Sequence, residues 1–217
     1  MTRPLVCLVT SRRRAAPAAA SFAEERRALV AQIAAAADAG VDLIQVREPD
    51  LDARDLCTVV AESVIATRGS ASRVVVNDRA DVALAAGADG VHLRASGPPV
   101  DRVRALGPTG WLVGRSAHSL KELASAETAD YIIFGTVFAT DSKPGVEGQG
   151  VAALADAVRR VQAPVLAIGG VTLDRARSCA VAGAAGVAAI SLFLIGPTGG
   201  SGLREVVRTL RQSFSTD

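Results

Sequence analysis

The feature that most constrains how this chain can fold is a unit that recurs along it: an apolar run, a polar loop and an amphipathic helical pattern. Runs such as 41–46 (VDLIQV) and 164–168 (PVLAI) do not alternate apolar and polar residues, which is typical of strands buried on both faces of a parallel sheet. Eight such units follow one another at intervals of roughly 25 residues, without a linker. They predict an α/β fold, a closed (β/α)8 TIM barrel, as a single domain over residues 1–217.

An open, doubly wound sheet is the alternative architecture. Such sheets often carry a glycine fingerprint for a dinucleotide after the first strand, and the segment after the predicted strand 4–10 (PLVCLVT) has none. Further strands are predicted at 41–46, 73–76, 90–93, 111–114, 131–134, 164–168 and 186–190. Helices are predicted at 21–39, 51–68, 80–86, 100–106, from 119 onward, 151–161, 172–182 and 203–213. The cluster Arg12-Arg13-Arg14 is predicted to be a solvated turn.

The composition limits the classes of partner and compartment. Hydrophobic residues make up 49% of the chain and aromatic residues 3%, so the core must be built from aliphatic side chains. A formal charge of +2 without a block of one sign gives no indication of a nucleic acid or membrane partner. Three cysteines lack metal-ligand spacing, and there is neither a signal peptide nor an apolar run of ~20 residues, which predicts a cytoplasmic protein.

Polar side chains collect where the predicted strands end, whereas the amino ends of the strands are mainly small or apolar. Because the carboxyl ends of barrel strands meet at one rim, we expect these side chains to line one ligand pocket. They are Gln45, Arg47, Glu48, Asn77, Asp78, Ser116, His118, Thr136, Thr140, Ser142 and Lys143.

Structural alternatives stay open for several of them. Arg47 and Glu48 could pair with neighbours on the rim, and Asp78 could cap the helix that follows it. His118 could be a half-exposed histidine at a helix start. Lys143 suits the binding of a carboxylate or phosphate as well as proton transfer.

A second group of residues follows the last two predicted strands. Gly169-Gly170 leaves backbone N–H groups unshielded, so that an anion can approach the chain closely. Together with Ile190-Ser191 they predict a phosphate site made of backbone amides, at the place where many barrels bind phosphate. The alternative is that Gly169-Gly170 is only a tight turn.

Six segments together resemble the thiamine phosphate synthase/TenI family over nearly the whole chain. They are IQVRE (44–48), VVVNDRADVALAAGADGVHL (74–93), GRSAHSLKE (114–122), DYIIFGTVFATDSK (130–143), APVLAIGGVT (163–172) and AGAAGVAAIS (182–191). The resemblance implies a (β/α)8 barrel that binds a thiazole phosphate. It places the phosphate on Gly169, Gly170, Ile190 and Ser191.

Two activities are known in this family. The synthase joins a hydroxymethylpyrimidine diphosphate to the thiazole phosphate, with Mg²⁺ binding the diphosphate and assisting its release. Its pattern has a lysine directly after the Arg-Glu pair, where this chain has Pro49. It also has a second metal-binding aspartate after the His-Leu of strand four, where residues 94–97 contain no carboxylate. In this alternative Asp78 remains as the Mg²⁺ ligand.

The TenI-like thiazole tautomerases lack those two features, and the segment 137–150 (VFATDSKPGVEGQG) resembles their loop. A tautomerase, shifting one proton to aromatise a carboxylated thiazole phosphate without metal or cofactor, is therefore the preferred prediction. The reaction requires an acid/base group, and Thr136 stands where the family pattern has a histidine. We expect the catalytic residues to be His118, Lys143 and Glu48, beside Thr136.

The remaining predictions concern substrate and partners. The residues expected to contact the substrate are Gln45, Arg47, Asn77, Ser116, Thr140, Ser142 and Lys143. After the synthase, the further alternative is a non-catalytic protein that binds thiazole phosphate or thiamine phosphate. The partner is a small molecule, and an aliphatic outer helix face could form a homodimer, as in other members of the family.

Overall fold

The computed structural model of the protein describes residues 3–140, 145–194 and 201–215. Eight parallel strands pair in chain order and the eighth pairs with the first, so the sheet closes on itself. The predicted (β/α)8 barrel is confirmed. The strands are β1 (Leu5–Val9), β2 (Leu43–Val46), β3 (Arg73–Asn77), β4 (Gly90–Leu93), β5 (Leu112–Ala117), β6 (Tyr131–Gly135), β7 (Val165–Ile168) and β8 (Gly186–Ala189).

Helices cover the outside of the barrel. Two of the connections contain a short 3-10 helix, at Glu122–Ala126 and at Ser191–Phe193. The α-helices are α1 (Arg12–Ala15), α2 (Phe22–Asp38), α3 (Ala53–Ala66), α4 (Ala80–Ala85), α5 (Val100–Arg104), α6 (Gly150–Arg160), α7 (Leu173–Val181) and α8 (Ser201–Phe214).

Side chains fill the molecule in two layers, because successive residues of a strand point to opposite faces. The layer between strands and helices includes Ile33 of α2, Leu154 of α6 and Val207 of α8. Inside the barrel lies a second, smaller cluster, which forms the floor beneath the carboxyl ends of the strands. It contains Cys7, Val9, Leu43, Val75, Tyr131, Ile133, Leu166 and Ala188.

The three cysteines, Cys7, Cys57 and Cys179, are free thiols. Cys7 and Cys179 are buried, and burial raises the pKa of Cys7 to about 12 and the pKa of Cys179 to about 11. Both therefore stay protonated and inert near neutral pH. Within the described ranges, none of the helices combines the length and apolar composition needed to cross a bilayer.

The helix predicted from residue 119 onward is instead the five-residue 3-10 helix Glu122–Ala126. The Glu122 carboxylate turns back and accepts a hydrogen bond from the backbone N–H of His118 (2.5 Å). A 3-10 helix rises ~2.0 Å per residue against ~1.5 Å in an α-helix, so these five residues cover a longer distance than they would in an α-helix.

The prediction of a solvated turn for Arg12-Arg13-Arg14 is wrong for Arg12, whereas Arg13 and Arg14 are exposed as expected. These residues lie in α1, and Arg12 is buried. Its guanidinium contacts three carboxylates, those of Glu25, Glu48 and Asp50, at 2.7, 3.1 and 2.6 Å. Charge runs along a sequence give no sign of such partners, because two of the three lie more than thirty positions away.

Candidate active site at the carboxyl ends of the strands

A cavity of about 420 Å³ opens at the carboxyl ends of the strands, and every strand or the loop behind it contributes to its wall. Apolar side chains such as Val9, Ile133 and Ile168 form part of the lining. The structure thus brings most of the residues named from the sequence to one pocket. Those found in its wall are Gln45, Arg47, Asn77, Asp78, Ser116, His118, Thr136, Thr140, Gly169, Gly170, Ile190 and Ser191. Ser142 and Lys143 lie outside the described residues.

Glu48 is not part of this lining. Its side chain is buried and accepts hydrogen bonds from the Thr10 hydroxyl (2.7 Å) and the Arg12 backbone N–H (3.0 Å). Burial raises the pKa of Glu48, and the bonds from Thr10 and Arg12 oppose that rise. The carboxylate therefore anchors α1 to the end of β2 beside the cavity, so this placement does not favour the acid/base role expected for Glu48.

A chain of polar side chains crosses the ends of β2 and β3. The amide of Gln45 donates to Oδ1 of Asn77 (2.8 Å), and the amide of Asn77 donates to Oδ2 of Asp78 (3.1 Å). Asp78 has a φ of 59°, a left-handed conformation that Asp tolerates better than most residues. Its Oδ1 accepts from the backbone N–H of Arg94 (2.8 Å), so Asp78 ties β3 to β4 and does not cap α4.

Arg94 is a cavity residue that sequence reasoning missed. Its segment was considered only for the carboxylate that it lacks, although its position directly after β4 places it on the same rim. The exposed Arg94 side chain lies 3.6 Å from Oδ2 of Asp78. The loop behind it is held by the buried Arg115, which donates to the carbonyl oxygens of Ala95, Gly97 and Pro98 at 2.7–2.9 Å. Arg94 and Arg47 together make the rim cationic.

The donor set does not fit a Mg²⁺ ion held by the protein itself. Asp78 is the one carboxylate in the cavity wall among the residues that the structure describes, and both its oxygens already accept hydrogen bonds. The described residues also contain no group of three or more His, Cys, Asp or Glu side chains placed to hold a metal ion. Mg²⁺ needs near-octahedral oxygen ligands, so Asp78 alone leaves nearly the whole shell unfilled.

Behind Ser116 lies a buried histidine, His92, which the sequence analysis overlooked because it falls inside a predicted strand. Its Nε2 is 2.8 Å from the Ser116 hydroxyl and its Nδ1 is 3.1 Å from the Tyr131 hydroxyl. Burial, and secondarily the charge of His118, lowers the pKa of His92 to about 3. His92 is therefore neutral near pH 7, and of these three residues Ser116 is the one in the cavity wall.

His118 follows β5 directly and stands exposed at the cavity rim. Its Nδ1 is 2.6 Å from the carbonyl oxygen of Gly135. A carbonyl oxygen can only accept, so Nδ1 carries the proton of the neutral ring and Nε2 is the free basic nitrogen. His118 is thus oriented as a base at the rim, and its catalytic role stays a prediction.

The predicted phosphate site has the expected parts. Gly169 and Gly170 adopt φ values of 96° and 59°, and both line the cavity. Thr172 caps α7 just behind them, and a 3-10 helix begins at Ser191. A Cβ at Gly170 would lie 2.3 Å from the carbonyl oxygen of Ala139, so the packing of the loop after β6 also requires glycine there. Phosphate binding at these residues stays a prediction.

Fold and site together define a (β/α)8 barrel with a cationic, hydrogen-bonding cavity at the carboxyl ends of its strands. The family model described as "Thiamine monophosphate synthase" (TMP-TENI) matches residues 16–193, more than half of the chain. The chain therefore belongs to the thiamine monophosphate synthase family.

Curated relatives and a solved structure agree with that assignment. The chain is 43% identical over 159 residues to a thiamine-phosphate synthase of Methanoculleus marisnigri, covering 72% of this chain and 75% of the relative. It is 45% identical over 168 residues to a thiamine-phosphate synthase of Anaeromyxobacter dehalogenans, covering 76% and 75%. A solved thiamine phosphate pyrophosphorylase from Pyrococcus furiosus is 30% identical with a TM-score of 0.76, covering 95% of this chain and 96% of that one.

These comparisons contradict the tautomerase prediction. The matched relatives at 35–45% identity bear the name thiamine-phosphate synthase, the alternative of the sequence analysis. The prediction rested on the loop 137–150 and on two missing residues, Pro49 and the carboxylate absent from 94–97. The loop is a small part of the chain and four of its residues lie outside the described ones, whereas the relatives match over most of its length.

Proposed function

We propose that this protein is a thiamine-phosphate synthase, a transferase that joins a hydroxymethylpyrimidine diphosphate to a thiazole phosphate. The observation that carries the proposal is the likeness to synthases at 35–45% identity over 72–90% of the chain. The cavity supports it with two kinds of site: cationic side chains at the rim beside β2 and β4, and backbone amides behind β7 and β8.

The reaction forms one bond and breaks one. The thiazole ring nitrogen gives its electron pair to the methylene carbon of the pyrimidine, and the C–O bond to the diphosphate breaks, so that the diphosphate leaves with that electron pair. No proton is removed from either reacting atom. Thr136, which cannot accept a proton near neutral pH, is therefore compatible with this chemistry, whereas a tautomerase would need a base at that position.

Departure of the diphosphate requires positive charge near its oxygens. Arg47 and Arg94 offer two guanidinium groups in the cavity wall, each able to bind phosphate oxygens in a bidentate manner. Pro49 removes the lysine of the synthase pattern, so among the described residues Arg47 and Arg94 are the Lys or Arg side chains in the cavity wall. In the family Mg²⁺ supplies this charge, but the donor set around Asp78 does not fit such an ion held by the protein itself.

The other cavity residues suit the two rings and the second phosphate. Gly169, Gly170 and the start of the 3-10 helix at Ser191 offer backbone amides to the thiazole phosphate. The polar edge formed by Gln45 and Asn77 offers hydrogen bonds to the pyrimidine substituents. Positioning of both substrates in one pocket then turns an encounter between two molecules into an intramolecular reaction.

The proposal is tested by mixing purified protein with both substrates, with and without Mg²⁺, and measuring thiamine phosphate by chromatography with fluorescent detection. We expect product only when both substrates are present, with equimolar diphosphate released. Absence of product at enzyme concentrations equal to substrate would refute the proposal. Calorimetric binding of thiazole phosphate under those conditions would then support the non-catalytic alternative.

The cytoplasmic location and the homodimer remain part of the proposal. A small-molecule biosynthetic reaction suits the cytoplasm, and the exposed Val181 of α7 and Leu106 after α5 lie on the outer surface of the barrel. Light scattering of the purified protein at several concentrations measures the association state. A constant monomer mass would rule the homodimer out.

A further inference from the structure

Three polar side chains on adjacent strands connect the interior of the barrel to its cavity. His92 of β4 is fully buried, and Tyr131 of β6 is 2% exposed. Both are paired in register with the same residue of β5, Gly114. Two residues further along β5, Ser116 reaches the cavity wall. The order from inside to outside is therefore Tyr131, His92, Ser116.

Gly114 makes this arrangement possible. A Cβ at Gly114 would lie 2.1 Å from Cζ and 2.5 Å from the hydroxyl oxygen of Tyr131, closer than real contacts allow. The phenol ring thus crosses β5 in the space that a side chain at position 114 would fill. It stacks beside the imidazole of His92, with ring centroids 5.5 Å apart and planes 29° from parallel. The missing side chain at position 114 of β5 thus lets the rings of β4 and β6 meet.

The hydrogen bonds have a direction that the surroundings decide. Among the residues that the structure describes, the His92 ring is the partner found for the Tyr131 hydroxyl. If Nδ1 carried the proton, the buried phenol proton would have no acceptor, which is costly. The phenol therefore donates to Nδ1, and Nε2 carries the ring proton and donates to the Ser116 hydroxyl oxygen. The Ser116 proton is then free to point into the cavity.

We propose that Tyr131 and His92 are positioning residues that hold Ser116 as a hydrogen-bond donor toward an unprotonated ring nitrogen of the bound pyrimidine. The substrate identity rests on the proposed function, whereas the direction of the relay does not. A neutral acceptor fits because the groups behind Ser116 are uncharged and Ile133 is in the nearby wall. The anionic diphosphate meets the arginines of the rim instead.

The direction of the relay is measurable without any substrate. The chain has two histidines, so His118→Gln leaves a single imidazole signal in ¹⁵N-labelled protein. Long-range ¹H–¹⁵N correlations then show which ring nitrogen carries the proton. We expect protonated Nε2 and bare Nδ1 in this variant, and a mixture or reversal after the further change Tyr131→Phe. Protonated Nδ1 before that change would overturn the proposal, whether or not the protein is a synthase.

Kinetics test whether the relay serves the substrate. We expect both Tyr131→Phe and Ser116→Ala to raise KM for the pyrimidine diphosphate on the order of tenfold, with KM for the thiazole phosphate within about twofold of its original value. Because Tyr131 acts through Ser116, the double variant should be no worse than Ser116→Ala alone. Effects that multiply in the double variant, or that fall equally on both substrates, would contradict the relay and indicate a purely structural role.

Discussion

At the scale of single residues, His92 is neutral because it is buried, and not because of the intrinsic pKa of a histidine side chain. A histidine in water has a pKa of 6.5, and burial lowers the pKa of His92 to about 3. Between these two pH values the unfolded chain binds a proton at this residue that the folded chain does not bind. The free energy of unfolding therefore falls as the pH drops from 6.5 toward 3.

The first prediction follows from that difference. Lowering the pH from 7.5 to 5 should cost about 2 kcal/mol of unfolding free energy through His92, at ~1.4 kcal/mol per pKa unit. Urea unfolding at a series of pH values measures the slope. We expect His92→Gln to flatten the slope in this range, whereas the exposed His118→Gln leaves most of it in place. An unchanged slope in His92→Gln would mean that other groups cause the acid sensitivity.

The second prediction concerns Arg94, whose largely exposed guanidinium lies 3.6 Å from Oδ2 of Asp78 at the rim. Arg94→Ala should raise KM for the pyrimidine diphosphate by about tenfold, since a charge-assisted hydrogen bond contributes ~1.5–3 kcal/mol when it is not fully exposed. Steady-state kinetics with each substrate varied in turn measures the effect. Arg68→Ala, at an exposed arginine outside the cavity wall, serves as the control for loss of one positive charge. Equal effects of the two variants would remove Arg94 from the diphosphate site.

At the scale of elements, α1 shows what the pattern of a sequence can and cannot predict. The helices α2, α6 and α8 follow from apolar residues at helical spacing, and the strands follow from short unbroken apolar runs, so both could be predicted. The burial of Arg12 could not, because its partners Glu48 and Asp50 belong to the next strand-loop unit. Local patterns carry no information about such pairings.

The third prediction compares neighbouring arginines of α1. Arg12→Leu should reduce the unfolding free energy by about 3–5 kcal/mol, because it leaves the buried Glu48 carboxylate without its guanidinium partner. Arg13→Leu removes an exposed ion pair with Asp50 and should change it by less than about 1 kcal/mol. Urea unfolding monitored by circular dichroism measures both. Similar losses in the two variants would mean that the charge cluster, and not the burial of Arg12, matters.

At the scale of the whole molecule, barrel closure explains why the candidate site was largely predictable. Residues such as Gln45, Asn77 and Gly169 are far apart in sequence, but each lies at the carboxyl end of a strand, and closure brings all strand ends to one rim. Arg94 and His92 were missed for opposite reasons. Arg94 does not match the family pattern at its position, and His92 sits inside a strand, where the direction of a side chain depends on the register of neighbouring strands.

The fourth prediction concerns the metal. Because Asp78 offers one carboxylate whose oxygens are already hydrogen-bonded, Mg²⁺ at about 10 mM without substrate should shift the melting temperature of the protein by less than about 1 °C. Differential scanning calorimetry measures this shift. The control is the same buffer with NaCl added to the same ionic strength in place of the magnesium salt. A saturable increase that Asp78→Asn abolishes would show that the protein does hold the ion by itself.

The absence of a side chain at Gly114 has a consequence for the redesign of this barrel. Positions 92, 114 and 131 depend on one another, because the rings of His92 and Tyr131 fit together only while position 114 carries no side chain. A side chain added at position 114 alone would displace the Tyr131 phenol. A smaller side chain at position 92 or 131 alone would leave a cavity. A library that recodes the three positions jointly should therefore recover folded proteins that one-at-a-time mutagenesis never reaches.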